Sequence, residues 1–328
     1  MDNASGDNTA TSVAEIAKQD PRVRYHCHDR NLGQIENFAA GLHLVNTPFF
    51  SFLSDDDLLL PEFYETAMRL FDEHPESSFV CCGVLHFTAS GEYRGCPMDP
   101  WPEGVYHPPE GLLAQLRYGH TGQTGMLFRR QIMEKIGFLD LQTAFVSDLD
   151  FVQRASARTS FVMSRKPSAI YCIGSLTPHS NGTYPFDKMW PAWPHMVRNL
   201  TNDPQLPNPV KQEVQLRLDR QFRDQLFILV LRYLYQNKTE DAWKAQNILD
   251  KEFKCWFQAA VLRSAIAIHK RLGQERAFAL WSFCLTMRRR WRSLRMTRAA
   301  RLENQEKATK AAPYATFLDV STYPNPNQ

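Results

Sequence analysis

The stretch Phe49-Phe50-Ser51-Phe52-Leu53-Ser54-Asp55-Asp56-Asp57-Leu58-Leu59-Leu60-Pro61 constrains this chain more than any other. An apolar run that reads as a buried strand ends in three consecutive carboxylates. Such a cluster is costly through like-charge repulsion unless a cation or a donor-rich ligand neutralises it. Carboxylates suit hard cations such as Mg²⁺ and Mn²⁺, which often carry phosphate oxygens as further ligands. Ligands of open α/β sheets also sit beyond the carboxyl ends of strands. The pattern predicts a metal–nucleotide site. The competing reading is local: Asp56 or Asp57 caps a helix that begins near Pro61.

The flanking sequence sets this stretch in an alternation of helices and strands. MDNASGDN is loop-like; Thr9 or Thr11 can then cap a helix running to about Lys18. Val23–Cys27 alternates like a short strand. The turn Asp29–Gly33 follows, then an amphipathic helix over about Gln34–Leu44. Helix, strand, helix, strand predicts a parallel α/β sheet. Further on, Phe79–Phe87 reads as a buried strand, and Phe161–Met163 and Ala169–Ile173 as two more. The proline-bearing residues 95–112 read as loop. Residues 181–209 read as a crossing loop with at most one short helix. From Val210 to Arg301 the apolar spacing is helical, over about 211–236, 239–252, 254–270 and 274–305.

Composition excludes several classes. The 328 residues are 43% hydrophobic and 22% charged, ordinary for a soluble globular chain. A net charge of +3 does not call for a nucleic-acid partner, and none is expected. The seven cysteines are odd in number and lack metal-binding spacings, so reduced thiols in the cytoplasm are expected. No signal peptide or spanning segment is evident. Seven arginines and no acid lie between Arg288 and Arg301, around Trp291. Residues 280–301 therefore suit a helix resting on anionic lipid, which would place the protein peripherally on the inner membrane face. A solvated helix packing on its neighbours is the alternative.

The order "DNASGDNT", "RNLG" before a helix, and "FLSDDDLLLPE" resembles the nucleotide-binding half of family 2 glycosyltransferases. "TGMLFRR", the Gly137-Phe138-Leu139-Asp140 turn and Val146–Arg154 resemble later motifs of that family. The resemblance implies an α/β, GT-A-like fold: a mixed, mostly parallel sheet flanked by helices, with an α-helical C-terminal region. The expected divisions are a nucleotide-sugar-binding and catalytic domain over 1–180, a linker over 181–209, a helical region over 210–305 and a disordered tail over 306–328. The family's fold carries an apolar strand and a helix upstream of the DNAS turn, so the chain is expected to lack a first strand.

By the same resemblance, Asp2 reads the base, Asn31 joins it in binding the nucleotide, and Asp55 faces the ribose. Asp56 serves both nucleotide and metal, with Asp57 and His179 as further ligands of Mn²⁺ or Mg²⁺. Asp148 is the general base, although a helix N-cap is also open to it. Arg154 reads either as a phosphate ligand or as a solvated helix residue, and Asp150 should point elsewhere. The implied function is inverting, metal-dependent transfer of a sugar from a nucleotide diphosphate, UDP above all. The acceptor is a glycan or lipid-linked hydroxyl, as in cell-surface polysaccharide biosynthesis. One alternative is a catalytically inactive, truncated relative that serves as a binding or membrane-associated module. Another, a nucleotidyltransferase, would need a phosphate loop that this sequence does not show.

Overall fold

The structure, a computed structural model, describes residues 1–173, 186–272, 276, 279, 287 and 298–318. Helices α1 (Thr9–Gln19) and α2 (Gln34–His43) lie where the apolar spacing predicts them. Val23–Cys27 forms no strand. It meets the chain start through one parallel bridge, Asp2 to Cys27. Arg24, Tyr25, His26 and Cys27 are exposed, so the segment has no apolar face to bury in a sheet.

The acidic stretch is flanked by two very short strands, β1 (Phe49–Phe50) and β2 (Leu58–Leu59). Helix α3 (Phe63–Glu73) then leads to β3 (Ser77–Thr88), β4 (Tyr93–Gly95) and β5 (Gly104–Tyr106). After α4 (Glu110–Tyr118) come β6 (Met126–Arg129), α5 (Ile132–Ile136), α6 (Ser147–Arg158) and β7 (Ser160–Ile173). The strand order is β1-β6-β3-β7-β2, with β4 beside β3 and β5 beside β7. Because β1 and β2 lie at opposite ends of that order, Ser51–Asp57 crosses the sheet between them. The three acids sit on this crossing.

The sheet is mixed, but "mostly parallel" does not hold. Among the described strands only β3 and β7 pair in parallel; the other five ladders are antiparallel. A tight turn at Ser90–Gly91 folds β4 straight back on β3, whereas a parallel pairing needs a long crossover, here the passage through α4 and α6. β7 also joins the two strands expected at 161–163 and 169–173. Its middle swings past Gly83, whose missing side chain makes room: a Cβ there would lie 2.6 Å from the Arg165 carbonyl oxygen.

The core follows from these pairings. Phe79, Phe128, Phe151 and Phe161 are fully buried on one face of the sheet, and Phe63, Ala67 and Phe71 of α3 pack on the other. Among the described residues from 186 onward the chain is mostly helical. This part comprises α7 (Phe186–Met189), α8 (Ala192–Thr201), α9 (Asn208–Tyr235), α10 (Thr239–Lys251), α11 (Trp256–Leu272) and α12 (Arg298–Ala311). Where a crossing loop with at most one short helix was expected, the described residues carry two helices, α7 and α8, because Trp193, Met196, Val197 and Leu200 give α8 a continuous buried face. That face joins Leu218, Phe222 and Leu226 of α9 and reaches Leu112 of α4 and Leu149 of α6.

The expected tail is also ordered as far as Leu318. Ala311 and Leu318 pack with Leu60, Leu85, Phe87 and Ile170, and Lys307 pairs with Asp99 at 3.1 Å. Apolar residues within a polar sequence supply the anchor here. His179, the boundary near 180, most of 280–301 and residues beyond 318 lie outside the described residues. The six cysteines among the described residues are free thiols.

Candidate functional site

Phe52 fixes the crossing stretch. Its buried ring meets Phe50 at 5.6 Å, Phe38 of α2 at 5.9 Å and Phe151 of α6 at 6.2 Å. Edge-to-face aromatic contacts of this kind define both distance and angle. The acidic turn, α2 and the helix that carries Asp148 therefore share one anchor.

The three carboxylates differ in setting. Asp55 is exposed, Asp56 half-buried and Asp57 buried. The Asp57 carboxylate accepts hydrogen bonds from the Thr124 hydroxyl at 2.6 Å and the Cys172 amide at 3.1 Å. Burial pushes its carboxyl up to about 6, although both hydrogen bonds act in the opposite direction. Asp57 thus ties the turn to the loop before β6 and to the end of β7, with both oxygens engaged inside the protein. No helix N-cap involves these acids: β2 intervenes, and α3 starts only at Phe63.

Two cavities flank the turn. The first, about 730 Å³, is lined by Asp2, Asn3, Asn31, Gly33, Asn37, Asp55 and Asp56 among others. The Asp2 carboxylate accepts hydrogen bonds from the Ser5 amide at 2.8 Å and from the Tyr25 hydroxyl. Those two bonds, Tyr25 first, hold its carboxyl down to about 2. Asn3 clamps the facing turn, donating to Asn31 Oδ1 at 2.9 Å and accepting from the Leu32 amide at 2.7 Å. Asp2 and Asn31 thus stand in one preformed wall.

The second cavity, about 520 Å³, is lined by Asp56, Asp57, His86, His120, Thr124, Asp148 and Tyr171 among others. The two cavities share Gln34, Phe38, Phe52, Ser54 and Asp56, so they meet at the turn. Asp148 lies in the first turn of α6, where the helix dipole favours a carboxylate, and accepts from the Leu149 amide at 2.7 Å. The Tyr171 and His86 rings lie 4.9 Å apart on the wall.

Asp150 points away, as its position two residues on implies. It is fully buried, bound by Arg154 Nε at 2.7 Å and Asn199 Nδ2 at 2.9 Å. Arg154 also donates to the carbonyls of Ile136 and, at 3.0 Å, Phe138. It is therefore neither a phosphate ligand nor a solvated residue; it holds the Gly137 turn against α6. Asp140 of that turn accepts from His195 Nε2 at 2.8 Å and Asn199 Nδ2 at 2.9 Å, which latches α8 to the same place.

Asp2, Asn31, Asp55, Asp56, Asp57 and Asp148 are thus brought to one connected space; His179 lies outside the described residues. Sequence reading missed Asn3, Tyr25, His86, His120, Thr124 and Tyr171. Only Thr124 carried a local signal, the glycines on either side of Gln123-Thr124.

A mixed sheet flanked by helices, with acids on a crossing between two cavities, is a GT-A-like architecture. Residues 1–137 match the model of the family described as Glycosyl transferase family 2, and the protein is a glycosyltransferase. The fold is similar to S. aureus TarS 1-349 in complex with UDP-GlcNAc, at 16% identity over 83% of this chain and 82% of that one, with a TM-score of 0.59. It is also similar to S. aureus TarS 1-349, at 15% identity over 83% and 81%, and to S. aureus TarS, at 14% over 81% and 48%, each with a TM-score of 0.56. At these identities the likeness speaks for the fold. No curated protein sequence matches the chain.

Proposed function

We propose that this nucleotide-sugar glycosyltransferase moves a sugar from a UDP-linked donor to an acceptor hydroxyl by single displacement with inversion. The observation that carries the reading is that Asp56 borders both cavities, with Asp2 and Asn31 in one and Asp148 in the other. A donor lying in the first cavity would bring its base to Asp2 and Asn31 and its ribose to Asp55. Its anomeric carbon would then reach the junction. Asp148, across that junction, would take the proton of an acceptor hydroxyl in the second cavity. Inversion requires such a base opposite the leaving diphosphate. The Tyr171 and His86 faces suit the ring of a glycan or lipid-linked sugar acceptor. The UDP-GlcNAc bound to the similar TarS structure supports the choice of a UDP sugar.

Among the described residues no three or more His, Cys, Asp or Glu side chains converge as a metal site. The donor set nonetheless fits a hard cation: Asp56, with Asp55 beside it, offers carboxylate oxygens on the cavity wall, and the diphosphate and water can supply the rest. A Mn²⁺ or Mg²⁺ ion held there would offset the charge of the departing diphosphate. Asp57, with both oxygens already engaged, would support this pair rather than replace it.

The test is UDP release from UDP-GlcNAc, UDP-glucose and UDP-galactose across a panel of glycan acceptors, followed by NMR of the product's anomeric configuration. Asp148→Asn should lower kcat at least a hundredfold while leaving UDP binding within about twofold. Full turnover by that variant, or a product that retains the donor's configuration, would overturn the assignment.

A further inference from the structure

The face of α11 turned away from the molecule has a composition that solvent alone does not favour. Counting 100° per residue, Ala259, Leu262, Ile266 and His269 share one arc, and all four are buried. The opposite arc holds Trp256, Phe257, Ala260, Val261, Ala267 and Ile268, with Ser264 and Arg271 as its polar members. Trp256 is 71% exposed, Phe257 63%, and Val261 and Ile268 nearly half. The two aromatic rings contact each other edge to face at 5.9 Å. Isolated exposed apolar residues are ordinary, but a contiguous helix face that includes a Trp-Phe pair marks an interaction surface.

Charge identifies the kind of surface it meets. The 22 residues between Glu252 and Glu275 contain Lys254, Arg263, Lys270 and Arg271 and no acid. Arg263 is paired with Asp250 at 2.6 Å, whereas Lys254, Lys270 and Arg271 are exposed on the flanks and at the end of the apolar arc. The sequence then continues from Arg276 to Leu302 with eight arginines and again no acid. A second copy of the chain would bring the same cations against one another, a like-charge contact that disfavours pairing. An anionic lipid surface satisfies both features at once: it covers the apolar arc and attracts its rim.

We propose that the outer face of α11 is a membrane-docking surface, laying Trp256, Phe257, Val261 and Ile268 into the headgroup region of an anionic bilayer. Lys254, Lys270 and Arg271 hold it there through lipid phosphates. This surface is independent of the donor site and stands or falls apart from it.

Cosedimentation of the full chain with vesicles of phosphatidylcholine, and of phosphatidylcholine mixed with phosphatidylglycerol, tests the proposal. The chain should partition onto the anionic vesicles and come off as salt is raised. The pair Trp256→Ser/Phe257→Ser, both on exposed positions, should lower the partition coefficient at least tenfold with an unchanged thermal melt. The pair Lys270→Glu/Arg271→Glu should remove the preference for phosphatidylglycerol. No partition onto either vesicle, or full binding by the serine pair, would overturn the proposal. So would light scattering that shows an oligomer which the serine pair dissolves, because the face would then be an interface between copies.

Discussion

Replacing Arg154 by alanine should destabilise the protein by about 3–5 kcal/mol, the cost of stranding one member of a buried ion pair. Asp150 is fully buried, and Arg154 is 13% exposed. The arginine supplies the nearest cation to that carboxylate and two hydrogen bonds to the Gly137 turn. Once it is removed, Asp150 keeps only the Asn199 amide among these partners. Burial already raises the Asp150 carboxyl above its ordinary value of 3.8, against the pull of Arg154. A raised carboxyl favours the folded state while protonated, and that benefit is lost as pH rises through the folded value. Losing Arg154 raises it further. The deficit should therefore be largest at neutral pH and shrink on acidification toward the ordinary carboxylate range.

Urea unfolding at several pH values, with m held constant, measures this. Adding Asp150→Asn to the alanine variant should recover half or more of the loss, because no charge is then left buried. Because α6 also carries Asp148, Arg154→Ala should lower kcat as well. A loss under about 1 kcal/mol, or one equal at all pH values, would refute the reasoning.

Two further substitutions probe the frame and the donor wall. Gly83→Ala should cost about 1–3 kcal/mol in urea unfolding, since its Cβ would meet the Arg165 carbonyl oxygen at 2.6 Å and push β3 from β7. Tyr25→Phe should raise the Asp2 carboxyl from about 2 toward 3.8, read by NMR titration. A depressed carboxyl adds stability above its ordinary value that is lost as pH falls toward the folded one, so the variant should be less stable than the native chain at neutral pH and lose less on acidification, the two curves converging below the folded value.

The helices were the most legible part of this chain. Apolar spacing placed α1, α2, α9, α10 and α11 within a few residues of their ends, because that signal is local. The sheet was less so. Phe49-Phe50 and Leu58-Leu59 are too short to announce that they pair on opposite edges, and nothing in Ser164–Ser168 reveals that β7 continues through it. Their pairing partners lie far along the chain, Phe49 with Arg129 and Leu58 with Ile170, separations of 80 and 112 residues. In the site, the acids and Asp148 were visible because three adjacent carboxylates and an acidic helix start are conspicuous in sequence. Thr124 and Tyr171 were not, since each acquires its place only when β6 and β7 reach the turn. Asp57 shows the limit most plainly. Its sequence position matches that of Asp56, and only burial against Thr124 and Cys172 separates a supporting carboxylate from one on the cavity wall.

The most direct test of the donor site is calorimetric titration of UDP into the purified chain with and without Mn²⁺, beside Asp56→Ala. The account predicts UDP binding that Mn²⁺ strengthens at least tenfold in the native chain and leaves unchanged in the variant. Binding of equal strength in both proteins, with or without Mn²⁺, would contradict the placement of donor and cation at Asp56.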